Sequence, residues 1–184
     1  PYLHMMEPII QAVLVTDSIA MIAVARIEWM TIGSDGVLAV RDEYYARSDQ
    51  KHTLLHLDHV PVIDESNEYV DYYSIIAKAI DLGYQSVMVD GSRLPLQENI
   101  EAVQRIVTLS HPQGVSVEAE LGKVLGHERE QVLTYEEILK TRTGFTEVGE
   151  TAVFVKETGC DWLSVACGNI HGAVSGLMKD QKKP

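Results

Sequence analysis

Five short apolar segments, separated by stretches with helical spacing, constrain the fold of this chain more than any other feature of its sequence. They span residues 18–27, 53–57, 86–89, 115–119 and 162–166. Strands that are apolar on both faces are typical of parallel sheets covered by helices, and parallel strands need long crossover connections. The pattern therefore predicts one α/β unit whose parallel strands follow each other in consecutive order.

Polar residues follow the predicted strands at their carboxyl ends, where parallel α/β folds place their functional sites. Asp58, Asp90 and Glu120 follow the second, third and fourth segments, and His171 lies shortly after the fifth. A doubly wound open sheet uses one crevice, whereas a (β/α)8 barrel builds its site from the ends of all its strands. The pattern favours the barrel, of which five strands would supply only a part.

Length, composition and charge exclude several classes of protein. The chain has 184 residues, of which 46% are hydrophobic, so we expect one sizeable core and no disordered chain. A net charge of -12 without a clustered basic face argues against a nucleic-acid partner. No apolar run has membrane-spanning length and no targeting peptide is recognisable, so we expect no membrane partner and a cytoplasmic location. The chain begins at Pro1 and ends at Pro184 within a charged run, and we interpret it as a piece of a longer protein.

The ends of the second and fifth segments carry residues that can bind a metal and move protons. His59 follows Asp58 directly, and His171 lies in the run Gly-Asn-Ile-His-Gly at 168–172. A neutral imidazole is a good zinc ligand, and a neighbouring carboxylate can exchange protons with a group that the metal polarises. These residues predict a metal site assembled from separate strand ends. The same site would suit a metal-dependent hydrolase, so the residues by themselves leave the reaction open.

Strand alternation places further polar residues beside this predicted site. Glu118 and Glu120 are separated by one residue and therefore share a face of their strand. We assign Glu120 to the metal and expect Glu118 to bond to a neighbouring strand. His56 is a possible ligand by residue type, but we expect it to pack in the core or to support the site.

Four motifs in order along the chain resemble those of a known family. They are Leu-His-Leu-Asp-His at 55–59, Ser-Val-Met-Val-Asp-Gly-Ser at 86–92, Val-Glu-Ala-Glu-Leu-Gly at 117–122 and His-Gly at 171–172, with Leu-Pro-Leu-Gln-Glu-Asn-Ile at 94–100 between them. The chain resembles the class II, zinc-dependent ketose-bisphosphate aldolases, which include fructose- and tagatose-bisphosphate enzymes. The resemblance implies a (β/α)8 TIM barrel, of which residues 1–184 would form a single partial domain supplying roughly strands 2 to 6.

The resemblance also implies roles for individual residues at the metal. His59 and His171 would be zinc ligands, and Asp58 would protonate the aldehyde oxygen during condensation and accept that proton in cleavage. Asp90 and Glu120 match positions that hold a second cation, divalent or monovalent, or an alternative zinc position. Zinc itself would polarise the substrate carbonyl and stabilise the enediolate of dihydroxyacetone phosphate.

Further roles concern the substrate. Glu128 would be the base that removes the substrate α-proton, and Gly172 would sit against the substrate phosphate, with Ser92 and Asn169 as further substrate-binding residues. The implied reaction is reversible aldol cleavage of a ketose (bis)phosphate to dihydroxyacetone phosphate and an aldehyde, in carbohydrate metabolism such as glycolysis. We expect a sugar phosphate as the small-molecule partner and a homo-oligomer as the assembly.

Departures from the family pattern leave an alternative open. Val60-Pro61-Val62 follows His59 where common members have a glycine, and Ser175 stands near the place of a common lysine. The family's third zinc histidine and glycine-rich phosphate loop would belong to later strands. We therefore expect the isolated chain to be a poor aldolase or none, and the alternative function is a non-catalytic fragment or scaffold that retains the fold.

Overall fold

The computed structural model describes residues 3–124 and 134–169, and these form a five-stranded parallel sheet covered by helices. Each strand pairs in parallel with the next along the chain, in the order β1-β2-β3-β4-β5. The α/β architecture and consecutive order confirm the predicted fold class and are those of part of a (β/α)8 barrel. The strands are β1 Ala20–Ala25, β2 Thr53–Pro61, β3 Ser86–Asp90, β4 Ser116–Leu121 and β5 Trp162–Val165.

Helices occupy the connections, as the crossovers of a parallel sheet require. They are α1 Leu3–Val15, α2 Arg26–Trp29, α3 Gly36–Arg47, α4 Tyr72–Asp81, α5 Leu96–Ser110, a 3-10 turn His111–Gln113, α6 Tyr135–Thr141 and α7 Val148–Thr158. No helix in the described ranges is long and apolar enough to cross a membrane.

The outer face of the sheet carries the hydrophobic core. Alternate strand residues are fully or almost fully buried against the helices, and burying one such side chain contributes about 1.5–3 kcal/mol. The helices contribute large side chains such as Tyr44, Ile76 and Phe154 to the same cluster. The buried strand residues of this face are Ile22, Val24, Leu55, Leu57, Val87, Val89, Val117 and Ala119.

The opposite face of the sheet is polar near its centre. Contacts across β2, β3 and β4 show that these polar residues share the face, since His56 Nδ1 lies 2.8 Å from Ser86 Oγ and His56 Nε2 lies 3.4 Å from Glu118 Oε2. Toward the edges the same sheet exposes apolar side chains, with Met21 and Trp162 each more than a third exposed. The functional residues therefore lie on the face that a complete barrel would enclose.

Several elements differ from the sequence-based expectation, which includes a loop over the polar stretch 123–146. The strand expected to end at Leu57 continues to Pro61, because a bulge keeps its polar end paired with β3. The strand expected over 18–27 ends at Ala25, because α2 begins at Arg26 and the Glu28 carboxylate accepts a hydrogen bond from the Ala25 N–H at 3.0 Å. Part of the polar stretch 123–146 is helical, because Thr134 caps α6 and Glu137 bonds back to the Thr134 N–H at 2.8 Å.

Candidate metal centre

A bulge in β2 brings two consecutive residues, Asp58 and His59, onto the functional face. Between Leu57 and Val60, β2 advances by three residues while its partner strand β3 advances by only two. Leu57 and Val60 thus both remain buried in the outer core, while both residues between them line the same inner cavity. His59 adopts a left-handed backbone, φ 43°, a conformation costly for a residue with a side chain and one that clusters at functional sites.

Three potential metal ligands converge at the carboxyl ends of β2, β3 and β4. His59 Nδ1 lies 3.6 Å from Asp90 Oδ2 and 3.6 Å from Glu120 Oε2. One donor atom from each of these residues lies within 4.8 Å of the other two. Tetrahedral zinc with bonds of about 2.0–2.2 Å holds its ligand atoms about 3.4 Å apart. The two distances from His59 Nδ1 are close to this separation, so the group of three donors could hold a metal ion.

Electrostatic interactions link His59 to the carboxylate beside it. The Asp90 carboxylate is the main cause that raises the pKa of His59 to about 9, against the opposing effect of burial. Burial acts to raise the pKa of Asp90, but the interactions with His59 and with Ser92 outweigh it and the pKa is lowered. Ser92 contributes a hydrogen bond from its N–H to Asp90 Oδ1 at 2.9 Å. The pair therefore consists of an ionised Asp90 carboxylate beside a His59 nitrogen. A cation and a proton would compete to bind that nitrogen.

Glu120 shows the strongest sign that the site suits a cation. Burial, followed by repulsion from Asp90, raises the pKa of its carboxyl to about 8. Its Oε2 is buried without a hydrogen-bond partner among the described residues. A buried carboxyl oxygen of this kind is costly unless a donor or a metal satisfies it. A divalent cation next to His59 would supply that partner, so the residues present fit the predicted metal.

A cavity of about 270 Å³ opens in front of these donors. Asp58, His59, Asp90, Ser92 and Glu120 all line it. Other parts of its wall come from α2, from the loop after β2 and from the residues that follow β3 and β4. These are Ile27, Glu28, Ile63, Glu65, Arg93, Lys123 and Val124, with Ala25 and Pro61 on the strands.

His56 lies beneath this cavity as a buried, uncharged histidine. It is 1% exposed, and burial lowers its pKa to about 4. Its Nε2 lies 3.4 Å from Glu118 Oε2 and 3.9 Å from Asp58 Oδ1. His56 is thus a packed histidine beneath Asp58, as expected, and Glu118 approaches it from two strands away, which matches the cross-strand role expected for Glu118.

The structure brings together most of the predicted site residues that it describes. Asp58, His59, Asp90, Glu120 and Ser92 share the cavity. Asn169 is exposed, accepts a hydrogen bond from the Cys167 N–H at 3.1 Å and is not among the lining residues of that cavity, so its substrate-binding role stays a prediction. The other predicted site residues, Glu128, His171 and Gly172, lie outside the described residues.

Sequence reasoning did not single out two basic residues of the cavity. Arg93 directly follows Ser92, and Lys123 directly follows the Glu-Leu-Gly run at 120–122. Their position immediately after two of the motifs was the available signal. Both lie at the carboxyl ends of strands, where a parallel α/β fold gathers its binding residues.

Comparison with protein families agrees with this geometry. Residues 2–182 match the family model described as class-II fructose-bisphosphate aldolase. The chain belongs to this family. The match extends over nearly the whole chain and confirms the resemblance found in the motifs.

Individual aldolases show how much of the family the chain spans. It is 35% identical over 125 residues to the fructose-bisphosphate aldolase of Staphylococcus epidermidis, covering 68% of this chain and 38% of the relative. The Giardia intestinalis fructose-bisphosphate aldolase is 38% identical over 119 residues, which cover 65% of this chain and 31% of that relative. The crystal structure of the YdjI aldolase from Escherichia coli K12 superposes with a TM-score of 0.66 at 27% identity, over 91% of this chain and 53% of the other. The chain thus spans about half of that structure and less than half of the two curated relatives.

Proposed function

We propose that this aldolase-family protein is a zinc-dependent lyase that reversibly cleaves a ketose (bis)phosphate to dihydroxyacetone phosphate and an aldehyde. The observation that carries the proposal is the convergence of His59, Asp90 and Glu120 around one point, next to Asp58 and within one cavity. A metal bound there supplies Lewis-acid polarisation of the ketose carbonyl. His171 is proposed as a further zinc ligand, and Asp90 and Glu120 as ligands of the zinc or of a second cation.

Asp58 is proposed as the proton-transfer group. In cleavage it accepts the proton of the substrate hydroxyl that becomes the aldehyde oxygen, while the adjacent carbon–carbon bond breaks. In condensation it returns that proton to the aldehyde oxygen. Its position favours this role, because the bulge directs it into the cavity beside His59 without making it a member of the converging donor set. Glu128 remains the proposed base for the α-proton.

The basic residues of the cavity support a sugar phosphate as substrate. Arg93 and Lys123 line the same cavity as Ser92 and bring positive charge to a cavity otherwise rich in carboxylates. Cationic side chains are the usual partners of phosphate oxygens. Gly172, Ser92 and Asn169 are proposed to contact the substrate.

A cleavage assay tests the proposal. The full-length enzyme is freed of metal with a chelator, reloaded with zinc and given fructose or tagatose 1,6-bisphosphate, and dihydroxyacetone phosphate is measured with a coupled dehydrogenase. We expect cleavage of at least one ketose bisphosphate that disappears with the chelator and returns with zinc. The proposal would be contradicted if the zinc-loaded enzyme cleaved neither substrate, or if the metal-free enzyme cleaved them equally well.

A further inference from the structure

Asn99, in the first turns of α5, lies directly behind the metal-binding strand ends. It is 2% exposed, and its Nδ2 donates a hydrogen bond to the backbone carbonyl of Glu120 at 2.9 Å. A carbonyl can only accept, so this bond fixes the orientation of the amide and turns Oδ1 away from β4. The side chain thus bonds to the backbone of one carboxylate residue of the metal centre.

The other side of the same amide packs against the turn after β3. A Cβ atom placed on Gly91 would lie 2.6 Å from Asn99 Cγ, closer than atoms can approach, and it would meet Oδ1 as well. Gly91 is not among the residues with positive φ, so its backbone conformation does not require glycine. The requirement comes from Asn99, which occupies the space that a side chain at position 91 would need.

Asn99 therefore contacts the residue after Asp90 and bonds to the backbone of Glu120. Glu120 Oε2 has no hydrogen-bond partner among the described residues and lies 3.6 Å from His59 Nδ1, so the backbone that carries Glu120 contributes to placing its carboxylate. Asn99 Oδ1 is also buried without a partner in the described ranges. An apolar residue would avoid that unsatisfied oxygen, which argues that the amide has a purpose other than filling space.

We propose that Asn99 is a positioning residue that ties the end of β3 to the end of β4 and so sets the spacing of Asp90 and Glu120 for a divalent cation. The inference rests on the metal centre of the proposed function. Groups that orient metal ligands typically contribute about 10–100-fold to metal affinity. Loss of a tether of this kind should therefore lower zinc affinity beyond any effect it has on the stability of the metal-free fold.

The test compares zinc affinity with metal-free stability in the full-length enzyme. Asn99→Leu keeps the branching and the number of side-chain heavy atoms, although it is bulkier, and it removes both the donor and the unsatisfied oxygen. We expect its zinc dissociation constant, measured by competition with a chromogenic chelator, to rise about 10–100-fold, while thermal unfolding shows that the metal-free variant is still fully folded at the temperature of the binding assay. Gln104→Ala is the matched control, because Gln104 Nε2 also donates from α5 to a backbone carbonyl, that of Glu157 at 2.7 Å, away from the metal.

A second variant tests the contact from the opposite side. Gly91→Ala should displace the Asn99 amide and weaken zinc binding to a similar extent, because its backbone conformation accepts alanine. Once Asn99→Ala has removed the amide, adding Gly91→Ala should cause little further loss. Additive losses in the double variant would overturn the inference, because they would show two independent effects.

The outcomes separate this inference from the proposed function. The positioning role is overturned if Asn99→Leu binds zinc as tightly as the parent, or if Gln104→Ala loses as much zinc affinity as Asn99→Leu. In either case, zinc binding by the parent would still support the metal centre. A full-length parent enzyme that binds no zinc overturns the inference and the proposed metal centre together.

Discussion

Gly122, two residues after Glu120, should be among the least replaceable residues of the chain. It has a φ of 86°, and a Cβ atom added there would lie 2.9 Å from Thr146 N and 3.0 Å from Gly144 O. Thr146 joins the ends of two strands, because its hydroxyl donates to the Leu121 carbonyl and accepts from the Ala166 N–H at 2.8 Å. A side chain at Gly122 would therefore press on the backbone that holds β4 to β5.

The cost of Gly122→Ala has two parts. A left-handed backbone costs a residue with a Cβ about 1–2 kcal/mol. Forcing an extra carbon into a packed site adds about 1–3 kcal/mol. The nearest neighbour is the Thr146 hydroxyl, which is held by its two hydrogen bonds, and the next two are backbone atoms that cannot rotate away. We expect a loss of about 2–5 kcal/mol in the free energy of unfolding, from the sum of these two effects.

Gly114→Ala separates the two parts. Gly114 also has a left-handed backbone, φ 71°, but a Cβ atom there would meet nothing within 4 Å. Its replacement should cost only the conformational part, about 1–2 kcal/mol. Urea unfolding followed by circular dichroism measures both variants in the metal-free chain. Equal losses for the two variants would refute the assignment of a steric role to the Gly122 contact.

Three further perturbations have defined outcomes. Asp58→Ala in the full-length enzyme should keep its zinc by elemental analysis and lose about 10²–10⁴-fold in cleavage rate, and loss of zinc would make Asp58 a ligand. The pKa of His52 is raised by hydrogen bonds to Asp49, 2.8 Å away, and to Asp17, so this contribution to stability is complete below the ordinary histidine pKa and disappears as pH rises through the raised pKa. Urea titrations should therefore find His52→Gln more destabilising at about pH 5.5 than at about pH 9, and a pH-independent loss would contradict the role of the protonated ring. The buried Tyr84 hydroxyl donates to a carbonyl in α3 at 2.9 Å, so Tyr84→Phe should lower the free energy of unfolding by about 1–3 kcal/mol, and the same change at the more exposed Tyr45 by less.

The sheet was predictable because its signals are local. Apolar runs, helix-length spacing and glycines at the turns identify each strand and the parallel order. The expected end of β2 at Leu57 was wrong, and the strand continues to Pro61. Asp58 and His59 look like loop residues because they are polar, whereas the bulge that keeps them within the strand depends on pairing with β3. The four-residue α2 could not be predicted, because it is too short to produce a periodic pattern. The helix α6 could have been predicted, because its capping box of Thr134 and Glu137 is visible in the sequence.

The candidate site was predictable to the extent that its residues lie at strand ends. The motifs identify His59, Asp90 and Glu120, and alternation places Glu118 and Glu120 on one face. Asn99 was not identified, because its partner carbonyl is 21 residues away and no local pattern marks that bond. The basic wall of the cavity depends in the same way on how the loops after β3 and β4 pack.

Zinc content is the most direct test of the metal centre. The purified full-length enzyme, its His59→Ala variant and a His111→Ala control are loaded with zinc, separated from free metal and measured by elemental analysis. His111 precedes β4 and pairs with Asp161 at 3.0 Å, at the opposite ends of the strands from the candidate site. The account predicts that zinc is retained by the parent and by His111→Ala and is lost or severely reduced in His59→Ala. Unchanged zinc content in His59→Ala would contradict it.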